Sequence, residues 1–234
     1  MPKQPISLRS TLRTIRDDLS RYHLTEKRSY LAIAVMCPGA IAGIYYRIGY
    51  WLWNYDGALA PLMALLRPVY IVGKRLIEIY SGCSISVQAR IGRGLYINHF
   101  GSIFVGAVEM GENCNLSHEV TIGVGGRGER KGLPTIGDRV YIAAGAKLIG
   151  SIHIGDDVAI GANAVVTRSL PDCAVAAGVP AQVISHQGSF DFVIYKTMHQ
   201  DPARLRNLAR TREQHHDSPR SDYAVEPMSH QSRR

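Results

Sequence analysis

From residue 85 onward, large aliphatic residues return at every sixth position. Ile85, Ile91, Ile97 and Ile103 form a first run. After one extra residue come Met110, Leu116 and Ile122, and after a longer break Ile136, Ile142, Leu148, Ile154, Ile160 and Val166. A glycine often follows the aliphatic residue, as at Gly92, Gly111, Gly137 and Gly155, and four positions on stands a small or aliphatic one, such as Ala89, Val120, Val140, Ala146, Val158 or Ala164. A period of six is neither the 3.6 of an α-helix nor the 2 of a plain strand. It predicts a parallel β-helix, in which each hexad is a short strand and a turn, three hexads close one triangular coil, and the aliphatic side chains stack inside the prism. The glycines are expected at corners whose backbone a Cβ resists.

The period breaks twice. An extra residue near Val108 and Glu109 is expected to bulge one corner. The segment Val124–Thr135, VGGRGERKGLPT, is too rich in glycine and charge to stack and is expected to leave the coil as a loop, where rigid scaffolds carry function. Residues 1–82 read as a helical region. Leu8, Leu12, Ile15 and Leu19 recur at helical spacing, with Asp17 and Asp18 among arginines on a solvated face, and further apolar periodicity runs over Ile41–Trp53 and Leu62–Tyr80. Two readings of these helices stand side by side: an interfacial pair that touches a membrane, or a bundle packed on its neighbour domain or another subunit. Residues 83–185 form the β-helix. In 186–234 the period is lost; Pro202–Arg212 predicts a short helix, and the remainder reads as a disordered tail.

With 46% hydrophobic and 20% charged residues, the 234-residue chain can bury a core. Its formal net charge of +8 favours anionic partners. The basic residues are scattered and no nucleic-acid-binding signature is present, so nucleic acid is not expected. Cys37, Cys83, Cys114 and Cys173 make no C-x-x-C pair, and no metal site is expected; His215 and His216 lack further ligands. The N-terminus has no apolar signal core, and the most apolar stretch, Leu31–Tyr46, is interrupted by Pro38 and Gly39 and is shorter than a spanning helix. A cytoplasmic protein is expected, with peripheral contact at the inner face of the membrane left open.

The segments IGRGLYINHFGSIFVG, VTIGVGGRGERKGLPTIGDRVYIAAGAKLIGSIHIGDDVAIGANAVV and AAGVPAQVI resemble the hexapeptide-repeat acyltransferases. Within that family they resemble the serine O-acetyltransferases and, equally, the O-acetyltransferases of exopolysaccharide pathways such as the colanic-acid type. The resemblance spans about residues 83–184 and implies a left-handed parallel β-helix, a homotrimer with active sites between subunits, and acetyl-CoA as co-substrate. It implies that His99, in the Asn98-His99 pair, is the general base that takes the proton of an acceptor hydroxyl; an imidazole titrates near neutrality and suits that task. Asn98 and His118 join it as candidate catalytic residues, His118 as a group that positions the acceptor or assists His99. The resemblance places the cofactor along Gly123, Ala144, Gly145, Gly161 and Ala162, where small residues let the pantetheine arm lie against the backbone. It offers Lys147, Arg168, Arg127, Arg130 and Lys131 to its phosphates. Three positions depart from the serine enzymes. Ser84 stands where an acidic residue orients the histidine, Asn98 where another acid precedes it, and Leu133 where a further histidine contacts serine. Unpaired polar groups in a recognition site are costly, so these departures direct the expected acceptor to a sugar hydroxyl of an exopolysaccharide or its precursor. A serine acetyltransferase is the alternative enzyme reading, and a non-catalytic trimeric scaffold the alternative of another class.

Overall fold

The computed structural model describes residues 7–128 and 131–216. The expected C-terminal tail beyond His216 and the candidate phosphate ligand Arg130 lie outside the described residues. Fifteen short strands wind into three sheets that form the faces of a prism. Sheet A stacks β1 (Cys83–Ile85), β4 (Ile103–Val105), β7 (Thr121–Gly123), β10 (Lys147–Ile149) and β13 (Val165–Val166). Sheet B stacks β2 (Arg90–Ile91), β5 (Glu109–Met110), β8 (Thr135–Ile136) and β11 (His153–Ile154). Sheet C stacks β3 (Tyr96–Asn98), β6 (Asn115–Ser117), β9 (Tyr141–Ile142), β12 (Ala159–Ile160) and β14 (Val175–Ala177), and ends on the antiparallel β15 (Gln182–Ser185). All other pairings between these strands are parallel, as a coil requires.

The register corrects one part of the sequence reading. Ile85 pairs with Val105, not with Ile103, and Val105 pairs in turn with Ile122. Eight residues therefore separate Ile97 from Val105, two more than a hexad, and five separate Val105 from Met110, one fewer. The irregularity expected at Val108 and Glu109 sits instead at the corner His99–Ser102; Val108 is buried and Glu109 is in β5. One surplus residue over two hexads looks the same in sequence wherever it falls. Only strand pairing locates it.

The expectation about glycine is also revised. Gly111, Gly137 and Gly155 have no left-handed backbone; a Cβ on each would meet the carboxylate of Asp138, Asp156 or Asp172 from the next coil, at 2.1, 2.4 and 2.4 Å. Those carboxylates accept the backbone N–H of Glu112, Asp138 and Asp156 at 2.7–2.8 Å. The glycine makes room for an aspartate ladder that satisfies corner amides.

Four helices precede the coils: α1 (Leu8–Glu26), α2 (Tyr30–Met36), α3 (Pro38–Asn54) and α4 (Ala60–Ser81). α1 reverses its expected faces, since Leu8 and Leu12 are exposed while Asp18, Arg21 and Tyr22 are buried. Asp18 is no solvated residue. Its carboxylate pairs with Arg47 of α3 at 2.8 Å and accepts the Gly94 and Leu95 amides at 2.7 and 2.9 Å. Arg47 also donates to the Ile91 and Gly92 carbonyls, and Arg21 to the Gly94 carbonyl and to Asn115. Burial pushes the Asp18 carboxyl up, against the pull of Arg47 and the two amides; the same carboxylate holds the Arg47 guanidinium charged and above its ordinary value. This buried network fastens α1 and α3 onto the coils, so these two helices pack on the neighbouring domain. Among the described residues no single helix is long and apolar enough to cross a membrane; α2 and α3 pass that test only together and are bent by 91°. The other end is closed by a strap that leads into α5 (Pro202–His216). There Arg139 pairs with the fully buried Asp157 at 2.8 Å, Asn207 donates to Asp157 at 2.7 Å, and Phe192 stacks on Tyr141.

Candidate active site

The corner between sheets C and A recurs on every coil, and the register fixes what stands there. Asn98 pairs with Ser117, so His99 stacks over His118; the pairing of β6, β9 and β12 continues the column to Ala144 and Ala162. Two imidazoles are followed by two methyl groups along one edge, about 14 Å from first to last at about 4.8 Å per coil. Gly145 follows Ala144, Gly161 precedes Ala162, and the two glycines flank the same column. Lys147 begins β10 and Gly123 ends β7, so both lie on the face of sheet A beside the corner.

The first corner differs from the others. Its two surplus residues force His99 into a left-handed conformation, φ 60°, and Gly101 and Ser102 follow at φ 111° and 54°. On the next coils the left-handed residue comes one place later, at Glu119, Gly145 and Asn163. Positive φ is a recurring feature of the coil corners, shared by Asn113, Glu119, Arg139, Asp157, Asn163 and Cys173, so what sets His99 apart is its place one residue earlier in the turn. The result is an exposed His99 ring whose centroid lies 5.8 Å from that of the half-buried His118, at an interplanar angle of 75°. His118 Nδ1 is buried and has no hydrogen-bond partner among the described residues. Asn98 is half-buried, with its Oδ1 3.5 Å from the Tyr96 hydroxyl.

The backbone of the column is tied coil to coil. Gly145 donates to the His118 carbonyl at 3.0 Å, Asn163 to Ala144 at 2.8 Å and Glu119 to Gly101 at 2.9 Å. Lys147 Nζ donates to the Glu119 carbonyl. Gly145, φ 74°, has the Asn163 amide oxygen 2.0 Å from its Cβ position, so any other residue is strained there and must displace the Asn163 side chain. Gly123 is less constrained: its Cβ position meets only the Phe104 ring, at 3.7 Å. The loop after β7 is pinned at its base, where Gly125 and Gly132 exchange two backbone hydrogen bonds of 3.0–3.1 Å and lie against Ile149 and Ser151. Leu133 packs on the core, while Arg127, Lys131 and Arg168 are exposed.

Three groups at this edge escaped the sequence reading. Phe100 and Phe104, 54% and 50% exposed, flank the corner on the solvent side where a core aromatic has no reason to be. Glu78 of α4 reaches Ser84: the Ser84 hydroxyl donates to Glu78 Oε1 at 2.7 Å, and Lys74 and Arg75 pair with the same carboxylate at 3.1 and 2.7 Å. Burial works to raise the Glu78 carboxyl, and these three partners outweigh it, leaving it below its ordinary value. A carboxylate thus stands one hydrogen bond from position 84, supplied from a helix outside the repeat. Among the described residues no group of three or more His, Cys, Asp or Glu side chains could hold a metal ion.

A family model for the bacterial transferase hexapeptide (six repeats) matches residues 134–168. The chain is 37% identical over 168 residues to a serine acetyltransferase of Mycobacterium tuberculosis, covering 69% of this chain and 69% of that protein. It is 35% identical over 162 residues to a serine acetyltransferase of Helicobacter pylori, covering 68% and 88%. Among solved structures, a serine acetyltransferase in complex with CoA superposes with a TM-score of 0.64 at 28% identity, over 76% of this chain and 71% of that one. The relatives therefore carry the acceptor named in the alternative enzyme reading, and the exopolysaccharide branch gains no support from them. The chain belongs to the serine acetyltransferase family of hexapeptide-repeat transferases, and its chemistry is acetyl transfer.

Proposed function

We propose that the chain transfers acetyl from acetyl-CoA to the hydroxyl of serine, with His99 as general base. The observation that carries the base is the corner itself: an exposed imidazole held at positive φ beside a second imidazole, at the head of a column of small residues. The acceptor rests on the serine acetyltransferases that match two thirds of the chain.

The acceptor hydroxyl donates to His99 and gives up its proton to the ring nitrogen as its oxygen attacks the thioester carbonyl. Backbone N–H groups near the corner stabilise the tetrahedral oxyanion. The intermediate then collapses, the C–S bond breaks, and the thiolate takes the proton back from the imidazolium, so no covalent acyl-enzyme forms. His118, with its unpartnered Nδ1, positions the acceptor, and Asn98 completes the acceptor side. The pantetheine arm follows Ala144, Gly145, Gly161 and Ala162, with Gly123 and Lys147 on the adjoining face. A homotrimer places this edge in a groove against a second subunit.

A second reading, a sugar hydroxyl, is favoured by one specific observation: Ser84, Asn98 and Leu133 stand where the serine enzymes are expected to carry two acidic residues and a histidine. Glu78, through Ser84, is the carboxylate that answers it under the serine reading. The experiment is thiol release from acetyl-CoA by wild type and His99→Ala, with serine and with nucleotide-linked and lipid-linked sugars. Turnover with serine that the variant loses supports the proposal. Turnover with a sugar and none with serine transfers the proposal to the second reading, and thiol release undiminished in His99→Ala removes His99 as the base.

A further inference from the structure

α4 turns an uninterrupted aliphatic face to solvent. Leu62, Leu65, Val69, Val72, Leu76 and Ile79 recur at spacings of three and four and are 48–81% exposed. The stripe runs nearly the length of a 22-residue helix, about 33 Å at 1.5 Å per residue. The charged residues of α4 are engaged elsewhere: Arg67 stacks on Trp53 at 5.3 Å, and Lys74 and Arg75 pair with Glu78. The inner side of the helix is already satisfied by Met63 and Tyr70, which pack against Leu52. Contiguous apolar surface of this extent marks a contact site.

Charge selects the occupant. Residues 1–82 hold eleven Lys and Arg against five Asp and Glu, six of the eight net positive charges of the chain. On α1, Arg9, Arg13 and Arg16 are all exposed. A second copy would set one positive region against another, whereas an anionic bilayer offers both an apolar phase for the stripe and opposite charge for the exposed arginines of the same helical region. Among the described residues no single helix is long and apolar enough to cross a membrane, and a one-sided apolar stripe on a helix suits contact in the plane of the interface. We propose that the exposed face of α4 docks the protein onto an anionic lipid surface.

The test is co-flotation of the full chain with phosphatidylcholine vesicles, with and without phosphatidylglycerol. It compares wild type with the double variant Leu65→Glu/Val72→Glu at low and high salt. The stripe is exposed, so the variant keeps the wild-type thermal midpoint and thiol release, which confirms that it is folded. Wild type is expected to float with the anionic vesicles only, more weakly at high salt, and the variant to bind at least about tenfold less. Absence of wild-type binding to anionic vesicles, or equal binding by the variant, overturns the proposal. So does light scattering that finds a wild-type assembly the variant dissolves, since a second copy would then cover the face. Thiol release is read separately, so failure here leaves the assignment of His99 standing, and the reverse.

Discussion

The corner between sheets C and A is built twice over in this molecule. At coils that include Ala144 and Ala162 it obeys the hexad, carries methyl groups, and places its left-handed residue where an amide oxygen of Asn163 or a glycine meets it. At the first coil it holds two surplus residues, a left-handed histidine and two exposed phenylalanines. The regular coils bury Ile122, Leu148, Ile154 and Ile160 completely and act as a rigid ruler. The irregular corner uses its two surplus residues to aim a side chain outward. Under the proposed function, reactivity and regularity are separated along one column.

That separation can be broken from either end. His99→Ala should give the largest effect, a loss of about 10²–10⁴ in thiol release, with the thermal midpoint unchanged because the ring is exposed. Leu148→Ala, in the regular coils, should do the opposite. It should cost about 2–5 kcal/mol of stability in a thermal or denaturant titration, with the turnover of the folded fraction preserved. Gly145→Ala sits between the two, since the new Cβ meets the Asn163 side chain at positive φ. A cost of about 1–3 kcal/mol is expected, and Gly145→Ala with Asn163→Ala should recover part of it. Ala162→Leu, at an exposed position, should leave stability alone and raise the KM for acetyl-CoA about tenfold, the equivalent of about 1.4 kcal/mol. An unchanged KM would move the pantetheine arm off this edge.

The smallest effect concerns the strap that closes the regular coils. Asp201 accepts the Tyr195 hydroxyl at 2.6 Å and the Ala203 and Arg204 amides, and it lies 3.7 Å from Arg139. Burial works to raise its carboxyl, and these partners outweigh it, so its folded value lies below the ordinary one. A depressed carboxylate contributes stability above its unfolded value, near 4, and loses it as the pH falls through the folded value. Asp201→Asn should therefore lower the midpoint at neutral pH, and the difference should begin to shrink near about pH 4 and vanish only as the pH falls through the lower folded value. A difference that persists in acid would mean the loss is one of packing.

Most of the scaffold was legible because its determinants are local. A coil repeats every three hexads, each inward position needs an aliphatic residue, and the chain writes that need at Ile136, Ile142, Leu148, Ile154, Ile160 and Val166 without interruption. The departure from the coil after β7 was legible for the same reason, although the last residue of the expected loop, Thr135, stacks in β8. The error over Ile103 and Val105 arose where two compensating irregularities sum to one, which a one-dimensional period cannot resolve. Asp18 and Arg21 were misplaced because α1 buries its polar side. An amphipathic pattern gives the faces of a helix, not which of them meets the coil, and here buried charges find one another and the Gly94 and Leu95 amides.

By itself the sequence determined the β-helix, the extent of its coils, the helical character of the first eighty residues and the presence of His99 and His118. Those follow from periodicity and residue type, which act over a few positions. Only the tertiary structure decided that the two histidines share one edge, that the surplus residues fall on the His99 corner, that Glu78 reaches Ser84 from α4, and that α4 turns its aliphatic stripe outward. Each of these depends on which coil or helix lies beside which. Backbone pairing between coils and the burial of charge between domains set that arrangement, and neither leaves a local mark in the chain.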